Sequence, residues 1–150
     1  MLKKWIRLFT PRKVRKPRAV ILRKQGVHYN LDEIYHRINQ TYFEGKLSLH
    51  ITWFNPKKTR YQRRIVLGCY HRDKHLVKIN RLLDQADIPE YYISFIVYHE
   101  MLHHVAPPIT ERFRKRQIHH QEFKDLEKKF HDYALVKEFR KASKMRWFVD

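Results

Sequence analysis

The amino-acid sequence predicts an α+β domain that contains one helix, a small three-stranded sheet of antiparallel type, and two further helices. The prediction rests on the periodicity of apolar residues. In some segments they recur at helical spacing, and in other segments they alternate with polar residues, as in a strand. The chain has 150 residues, of which 43% are hydrophobic, and this suffices for one domain with its own core. We therefore expect a basic N-terminal arm, residues 1–29, followed by one folded domain, residues 30–150.

The first helix of this domain is predicted to run from Asn30 to about Phe43. Asn30 is a good N-cap residue, and Glu33 stands three positions later, where it completes a capping pair. Gly45 marks the end of the helix, because glycine adopts the left-handed conformation at a helix C-terminus without strain.

Three short strands are predicted after the first helix. Residues 47–53 alternate apolar and polar side chains, which is typical of a half-buried strand. Residues 65–70 and 75–80 are two further β-type runs, and the four polar residues between them suit a turn. These two runs therefore predict a hairpin.

Two helices are predicted to complete the domain. Asp87 and Glu90 form a second capping pair, and Pro89 falls in the first turn, where its missing N–H costs little. This helix should run to about Val105, because two prolines follow closely and proline disrupts a helix interior. A basic connector then leads into a last, long helical stretch.

The second helix contains the sequence His99-Glu100-Met101-Leu102-His103, which is an HExxH motif. Four residues advance about 400° along a helix, so His99 and His103 lie on one face and can bind one metal ion. Glu100 lies about 100° away, where it can accept a proton from a water that the metal activates. We predict one zinc ion per chain, since zinc suits nitrogen ligands. The alternative is a buried helix with two hydrogen-bonded core histidines, which requires a glutamate to be tolerated among apolar residues.

A catalytic zinc site needs a third protein ligand and one open position. The longer pattern HExxHxxGxxH does not continue here, because Ala106 and Ile109 stand where glycine and histidine belong. We prefer His119 as the third ligand, because it shares the apolar face of the last helix. Three residues lie within about 40° of His119 on a helical wheel: Phe123, Leu126 and Phe130.

Other residues remain alternatives for the third ligand. His120 is turned about 100° from the buried face and should point toward the edge of the helix or solvent. Glu111 or Glu122 would give a site of two histidines and one glutamate. His104 adjoins a predicted ligand but faces elsewhere, so we expect it to support the site or contact the substrate.

The chain is strongly basic, with a formal net charge of +18, and its first 31 residues contain ten Lys or Arg and no acidic residue. Such a field attracts polyanions, so nucleic acid is the first partner to expect and an anionic membrane surface the second. The alternative is a disordered, solubilising arm. The candidate nucleic-acid contacts lie in the arm and in the basic connector: Arg12, Lys13, Arg15, Lys16, Arg18, Arg112, Arg114, Lys115 and Arg116.

The composition also bears on the compartment. Cys69 is the single cysteine, so an internal disulfide cannot form, which favours a reducing environment. Apolar runs are too short to span a bilayer, and the N-terminus lacks the pattern of a secretory signal. Within the arm, residues 2–9 carry apolar side chains at helical spacing, which predicts a short amphipathic helix. We expect a soluble protein that is cytoplasmic or associated with the nucleoid.

Between about Asn30 and about Phe130 the sequence contains a set of features that occur together in one family: Asn39-Gln40-Thr41-Tyr42-Phe43, Ile51-Thr52-Trp53, Gly68, Ile79-Asn80, the HExxH motif, and a late histidine followed four residues later by Phe123. In this combination the sequence resembles the SprT-like family of zinc metallopeptidases. The resemblance implies a compact zincin-like domain in which zinc is held by His99, His103 and His119, and Glu100 is catalytic. Because the family includes DNA-dependent proteases, it also implies a substrate that is DNA-associated or DNA-crosslinked protein.

The sequence departs from this family at two points. His120 stands where the family commonly has glycine, and the cysteine-rich zinc ribbon of many members is absent. Our hypothesis is that the basic arm and connector replace the ribbon as the DNA contact.

Two classes of function follow from these observations. The leading prediction is a zinc-dependent endopeptidase that acts on protein substrates and is stimulated or localised by DNA. The alternative is a noncatalytic nucleic-acid-binding protein with a structural zinc. Glu100 favours the enzyme, because a structural site needs a fourth protein ligand but no general base. A zinc hydrolase of a nonpeptide bond is a third possibility, since the same chemistry serves other substrates.

Overall fold

The computed structural model of the protein describes residues 19–55, 65–110 and 116–143, together with the backbone of residues 147–148. The amphipathic helix predicted for residues 2–9 lies outside the described residues. So do Glu111 and all the candidate nucleic-acid contacts except Arg116.

Helix α1 spans Leu31–Phe43, as the sequence predicts. The Asn30 side chain caps it by accepting a hydrogen bond from the Asp32 backbone N–H at 3.0 Å. The helix ends because Glu44 and Gly45 both adopt positive φ angles, 55° and 69°. Its inner face includes Ile34 and Ile38, which are buried in the core.

The main sheet contains β1 (His50–Phe54), β3 (Gly68–His71) and β4 (Leu76–Asn80), in the order β1-β4-β3. Strands β3 and β4 form the predicted antiparallel hairpin around a short 3-10 turn. Strands β1 and β4 are parallel, however, so the sheet is mixed rather than wholly antiparallel. The connection between them is long enough for β4 to return in the same direction as β1. A separate pair joins β2 (Ile65–Val66) to β5 (Trp147–Phe148) in parallel.

Strand β1 begins at His50, three residues later than predicted. The reason is that side chains of α1 bond the backbone of the preceding residues. Asn39 Nδ2 donates to the Leu47 carbonyl at 2.8 Å, and the Leu49 N–H donates to the Tyr35 hydroxyl at 2.9 Å. These bonds take the place of a strand ladder.

Residues 23–29 contact the domain along the free edge of β1 and near Asp84. The Trp53 N–H donates to the Arg23 carbonyl at 2.8 Å, beside β1. The Asp84 carboxylate accepts the backbone N–H groups of the next turn: Val27 at 2.6 Å, His28 at 2.9 Å and Tyr29 at 3.1 Å. These bonds join the described end of the arm to the domain. The division of arm and domain at residue 30 stays a prediction.

Helix α2 spans Glu90–Val105 and passes through the centre of the domain. It contacts α1, α3, α4, β3 and β4, and all of its residues from 92 to 103 are buried. The prediction that Asp87 caps this helix was wrong. Pro89 occupies the N-cap position, and its carbonyl accepts the Tyr92 N–H at 2.9 Å. Because α2 is packed against five other elements, its side chains are held at fixed positions in the core.

The last helical stretch is divided into α3 (Gln121–Glu127) and α4 (Tyr133–Ala142), whereas the sequence predicted one long helix. After α3 the Phe130 N–H donates to the Glu127 carbonyl, three residues back, which tightens the backbone. The turn places Phe130 in the core. The domain is therefore α+β, with four α-helices and the mixed sheet in its described residues. No helix in these ranges is long and apolar enough to cross a membrane.

Candidate metal centre

Three histidines meet beside the C-terminal half of α2. The possible ligand atoms of His99, His103 and His119 all lie within 4.8 Å of one another. His99 and His103 are buried on consecutive turns of α2, while His119 is half-buried and comes from the segment before α3. The structure thus brings together the three histidines that the sequence nominated, in an arrangement that could hold one metal ion.

His119 reaches the cluster from a segment that is not helical. Helix α3 begins only at Gln121, so the helical register assumed for His119 was wrong. The approach is set instead by a two-way backbone pairing of Ile109 and Gln117, with N···O distances of 3.0 and 2.9 Å. His119 follows this pairing by two residues.

The rival ligands lie outside the cluster or outside the described residues. His120 is buried rather than directed to solvent, because its Nε2 lies 3.2 Å from the Pro107 carbonyl oxygen. It occupies the N-cap position of α3 and so connects the start of that helix to the end of α2. Glu122 is exposed on α3, and Glu111 is among the residues that the structure does not describe.

Glu127 is a further candidate site residue, which was not nominated from the sequence. Its Oε1 lies 2.8 Å from His99 Nδ1, so the hydrogen bond uses this ring nitrogen and leaves Nε2 as the atom that could bind a metal. Burial raises the pKa of the Glu127 carboxyl, but the hydrogen bond and charge of His99 outweigh burial and hold it below its ordinary value. A sequence signal existed, because Glu127 lies one helical turn after the buried Phe123.

Phe123 packs against all three imidazoles. Its ring centroid lies 5.0 Å from that of His99, 4.7 Å from that of His103 and 4.8 Å from that of His119. Phe123 is itself fully buried. The aromatic ring therefore restricts the imidazoles to a narrow range of rotamers.

The Glu100 side chain is fully buried and packs against the backbone of β3. A Cβ atom added at Gly68 would lie 2.5 Å from Glu100 Oε1, a distance that real Cβ atoms do not show. Only glycine at this position allows β3 to come so close to the carboxylate. Glu100 and His103 both line a cavity of about 240 Å³, which is also lined by residues of β3 and by Arg116 and Ile118.

Tyr70 and His104 form a pair at the same cavity. The Tyr70 hydroxyl lies 2.7 Å from His104 Nδ1, and Tyr70 also lines the cavity. Burial lowers the pKa of His104, and the charges of His75 and Arg72 act in the same direction. His104 is thus placed to orient the Tyr70 hydroxyl, and its role at the site stays a prediction.

Comparison with known proteins adds one distant likeness. No protein-family model matches the chain, and no curated protein matches it. Among solved structures, it is similar to the metallopeptidase zymogen jannalysin of Methanocaldococcus jannaschii, with 17% identity and a TM-score of 0.49. The alignment covers 85% of this chain and 99% of the other. At this identity and score the likeness carries no functional information, and membership of the SprT-like family stays a prediction.

Proposed function

We propose that the protein is a zinc-dependent endopeptidase in which His99, His103 and His119 bind the metal and Glu100 is the general base. The observation that carries the proposal is the convergence of three imidazoles beside a buried glutamate. Three neutral nitrogen donors suit zinc and leave one coordination position open, which a catalytic site requires. Within the described residues the cluster has three members and not the four of a closed structural site.

The residues around the cluster supply the roles that peptide hydrolysis needs. Zinc, when bound, would lower the pKa of a water and polarise the substrate carbonyl. Glu100 accepts the proton of the attacking water and then delivers it to the leaving amine. Glu127 holds the His99 ring by its Nδ1 atom, which fixes the orientation of that ligand.

The nature of the substrate is the finer part of this proposal. Support for a DNA-associated or DNA-crosslinked protein comes from the net charge of +18 and from the resemblance to the SprT-like family. A strongly basic chain concentrates on DNA by releasing condensed counterions. DNA would then localise the enzyme beside its protein substrate, while the metal centre performs the hydrolysis.

The test joins metal analysis to a cleavage assay. Protein purified without chelators should contain one zinc per chain, and it should cleave an unfolded protein such as casein. Glu100→Gln should retain zinc and fold but lose about a hundredfold or more of the cleavage rate, because an amide cannot accept the proton. Absence of zinc, both as purified and after incubation with zinc, would refute the proposal. Equal cleavage by Glu100→Gln would show that another group is the base.

The same assay, run with and without duplex DNA, addresses the substrate. We expect faster cleavage of a DNA-bound protein than of the same protein without DNA, and a steep decline of this advantage with added salt. A rate that does not respond to DNA would remove the DNA-associated substrate and leave the endopeptidase.

A further inference from the structure

The cavity beside Glu100 has a composition that points to the chemistry of its occupant. Its volume of about 240 Å³ is smaller than the roughly 300–1,000 Å³ of a typical small-molecule pocket, so it suits a single chemical group. Two arginines, Arg72 and Arg116, line it together with Glu100 and His103. Its remaining lining includes Pro108 and Ile118, which offer apolar surface.

The two arginines outnumber Glu100, which is the single acidic residue among the described residues that line this cavity. Arg72 is held at the rim by donating from Nη2 to the His103 carbonyl at 3.0 Å. Across the described ranges neither Arg72 nor Arg116 forms an ion pair with an acidic side chain. A guanidinium group has five N–H donors, and a carboxylate can accept two of them side by side. The cavity therefore offers two cationic donor groups to an incoming anion.

The position of the cavity favours an anion that is part of a peptide. Glu100 and His103 line the same cavity, so a group bound there lies next to the bond on which Glu100 is proposed to act. The apolar surface of Pro108 and Ile118 suits the methylene groups of an Asp or Glu side chain. A phosphate of nucleic acid is the competing anion, and the binding experiment below includes it as an outcome.

We propose that this cavity binds a carboxylate of the substrate through Arg72 and Arg116, and that it thereby selects which peptide bond is presented to Glu100. The inference rests on the proposed function and names the substrate class of the same site. The carboxylate has two possible sources, an Asp or Glu side chain next to the cleaved bond and the free C-terminus of a peptide. An acidic side chain is compatible with the proposed endopeptidase, whereas recognition of the free C-terminus would make the enzyme a carboxypeptidase, so the cleavage pattern separates the two sources.

Binding is measured first, because it does not depend on turnover. The zinc-loaded Glu100→Gln variant is titrated into three fluorescent peptides of otherwise identical sequence. One has an internal Glu and an amidated C-terminus, the second has Gln and a free C-terminus, and the third has Gln and an amide. We expect one of the two carboxylate peptides to bind about tenfold more tightly than the third, as suits a partly exposed charged hydrogen bond. Equal affinity for all three would overturn the proposal.

Variants of the two arginines locate the effect. In the Glu100→Gln background, Arg72→Gln combined with Arg116→Gln should reduce the tenfold preference to about one. Arg116→Gln alone should reduce it in part, which guards against a folding defect when the Arg72 bond to His103 is lost. The matched control is Arg23→Gln, because Arg23 is exposed and bonds to β1, at the opposite edge of the sheet from β3. A preference that persists in the double variant, with unchanged melting temperature and zinc content, would overturn the proposal.

Two further outcomes distinguish this proposal from a phosphate site and from a failure of the proposed peptidase function. If a short oligonucleotide binds more tightly than any peptide and loses its affinity in the double variant, the cavity is a phosphate site and the proposal is wrong. In the parent enzyme, cleaved bonds should lie next to Asp or Glu, or at the C-terminus, when a peptide mixture is analysed by mass spectrometry. If no peptide is cleaved at all, the proposed function fails, while the binding comparison still decides what the cavity holds.

Discussion

Helix α2 and the segment from Arg116 to Phe130 supply the two halves of the candidate centre in different ways. Helix α2 contributes His99, Glu100 and His103 from one continuous element, so their relative positions follow from helical geometry. The second segment contributes His119 from a non-helical stretch and Glu127 from a short helix. Side chains on one helix keep their relative positions as long as the helix is folded. The positions of His119 and Glu127 depend in addition on the packing of the connections before and after α3.

The largest expected effect comes from the second half and concerns its proposed metal ligand, His119. His119→Ala should abolish tight zinc binding, because two imidazoles alone do not make a stable site. His120→Ala is the matched control, since its ring bonds the Pro107 carbonyl and lies outside the cluster. It should retain zinc and lose some stability. Measurement of zinc content after dialysis would decide, and zinc lost from His120→Ala but kept by His119→Ala would reverse the assignment.

Loss of the contact between Glu127 and His99, which joins the two halves, is expected to have an intermediate effect on zinc affinity. Glu127→Gln keeps the shape of the side chain but removes the charge beside His99, so zinc affinity should fall about tenfold to a hundredfold. Glu122→Gln, on the exposed side of the same helix, should leave affinity unchanged. Competition with a chromophoric chelator measures both variants. If Glu127→Gln binds zinc like the parent, the carboxylate does not tune His99.

A substitution in β3 tests whether the Glu100 side chain on α2 must keep its exact position. Gly68→Ala would place a Cβ atom 2.5 Å from Glu100 Oε1, so the carboxylate must move and the cleavage rate should fall about tenfold or more. Gly26→Ala is a matched control, because its Cβ would lie equally close to the Asp84 carboxylate, on the loop that joins the arm to the domain. It should lower stability and leave the cleavage rate intact. Full activity of Gly68→Ala would mean that Glu100 tolerates displacement.

The smallest expected effect on the centre comes from Asp84, which belongs to neither half. Burial raises the pKa of this carboxyl, but hydrogen bonds from three backbone N–H groups and the charge of Arg81 outweigh burial and hold it below its ordinary value. The charged form therefore stabilises the fold above the unfolded-state pKa, and this stabilisation is lost as the pH falls through the native pKa. Asp84→Asn should cost about 1–3 kcal/mol of unfolding free energy at pH 7 and much less in strong acid.

Urea unfolding of the zinc-free protein at both pH values tests this expectation without interference from metal loss. Zinc content and cleavage rate at neutral pH should match those of the parent. A difference in unfolding free energy that does not change with pH would show that the Asp84 charge is not involved.

The parts of the fold that were predicted well are those whose signals are local. Asn30 and Gly45 bracket α1 because capping and the left-handed turn involve only nearby backbone groups. The hairpin of β3 and β4 was predicted because its strands are joined by a short turn. By contrast, the parallel pairing of β1 with β4 and the division of the last helix depend on packing between segments that are distant in the chain.

The residues of the candidate site also fall into a group that local spacing predicts and a group that depends on long-range packing. The positions of His99, Glu100 and His103 on one helix could be read from their spacing, because each residue of an α-helix turns by a constant angle. His119 was nominated from a helical register that the structure does not have, since its approach to the cluster depends on the pairing of Ile109 with Gln117. Helical spacing relates Glu127 to Phe123, but it does not show that this face of the helix meets His99, which is 28 residues away in the chain. Such contacts form only when the core brings the two elements together, so they follow from tertiary packing and not from any local property of the chain.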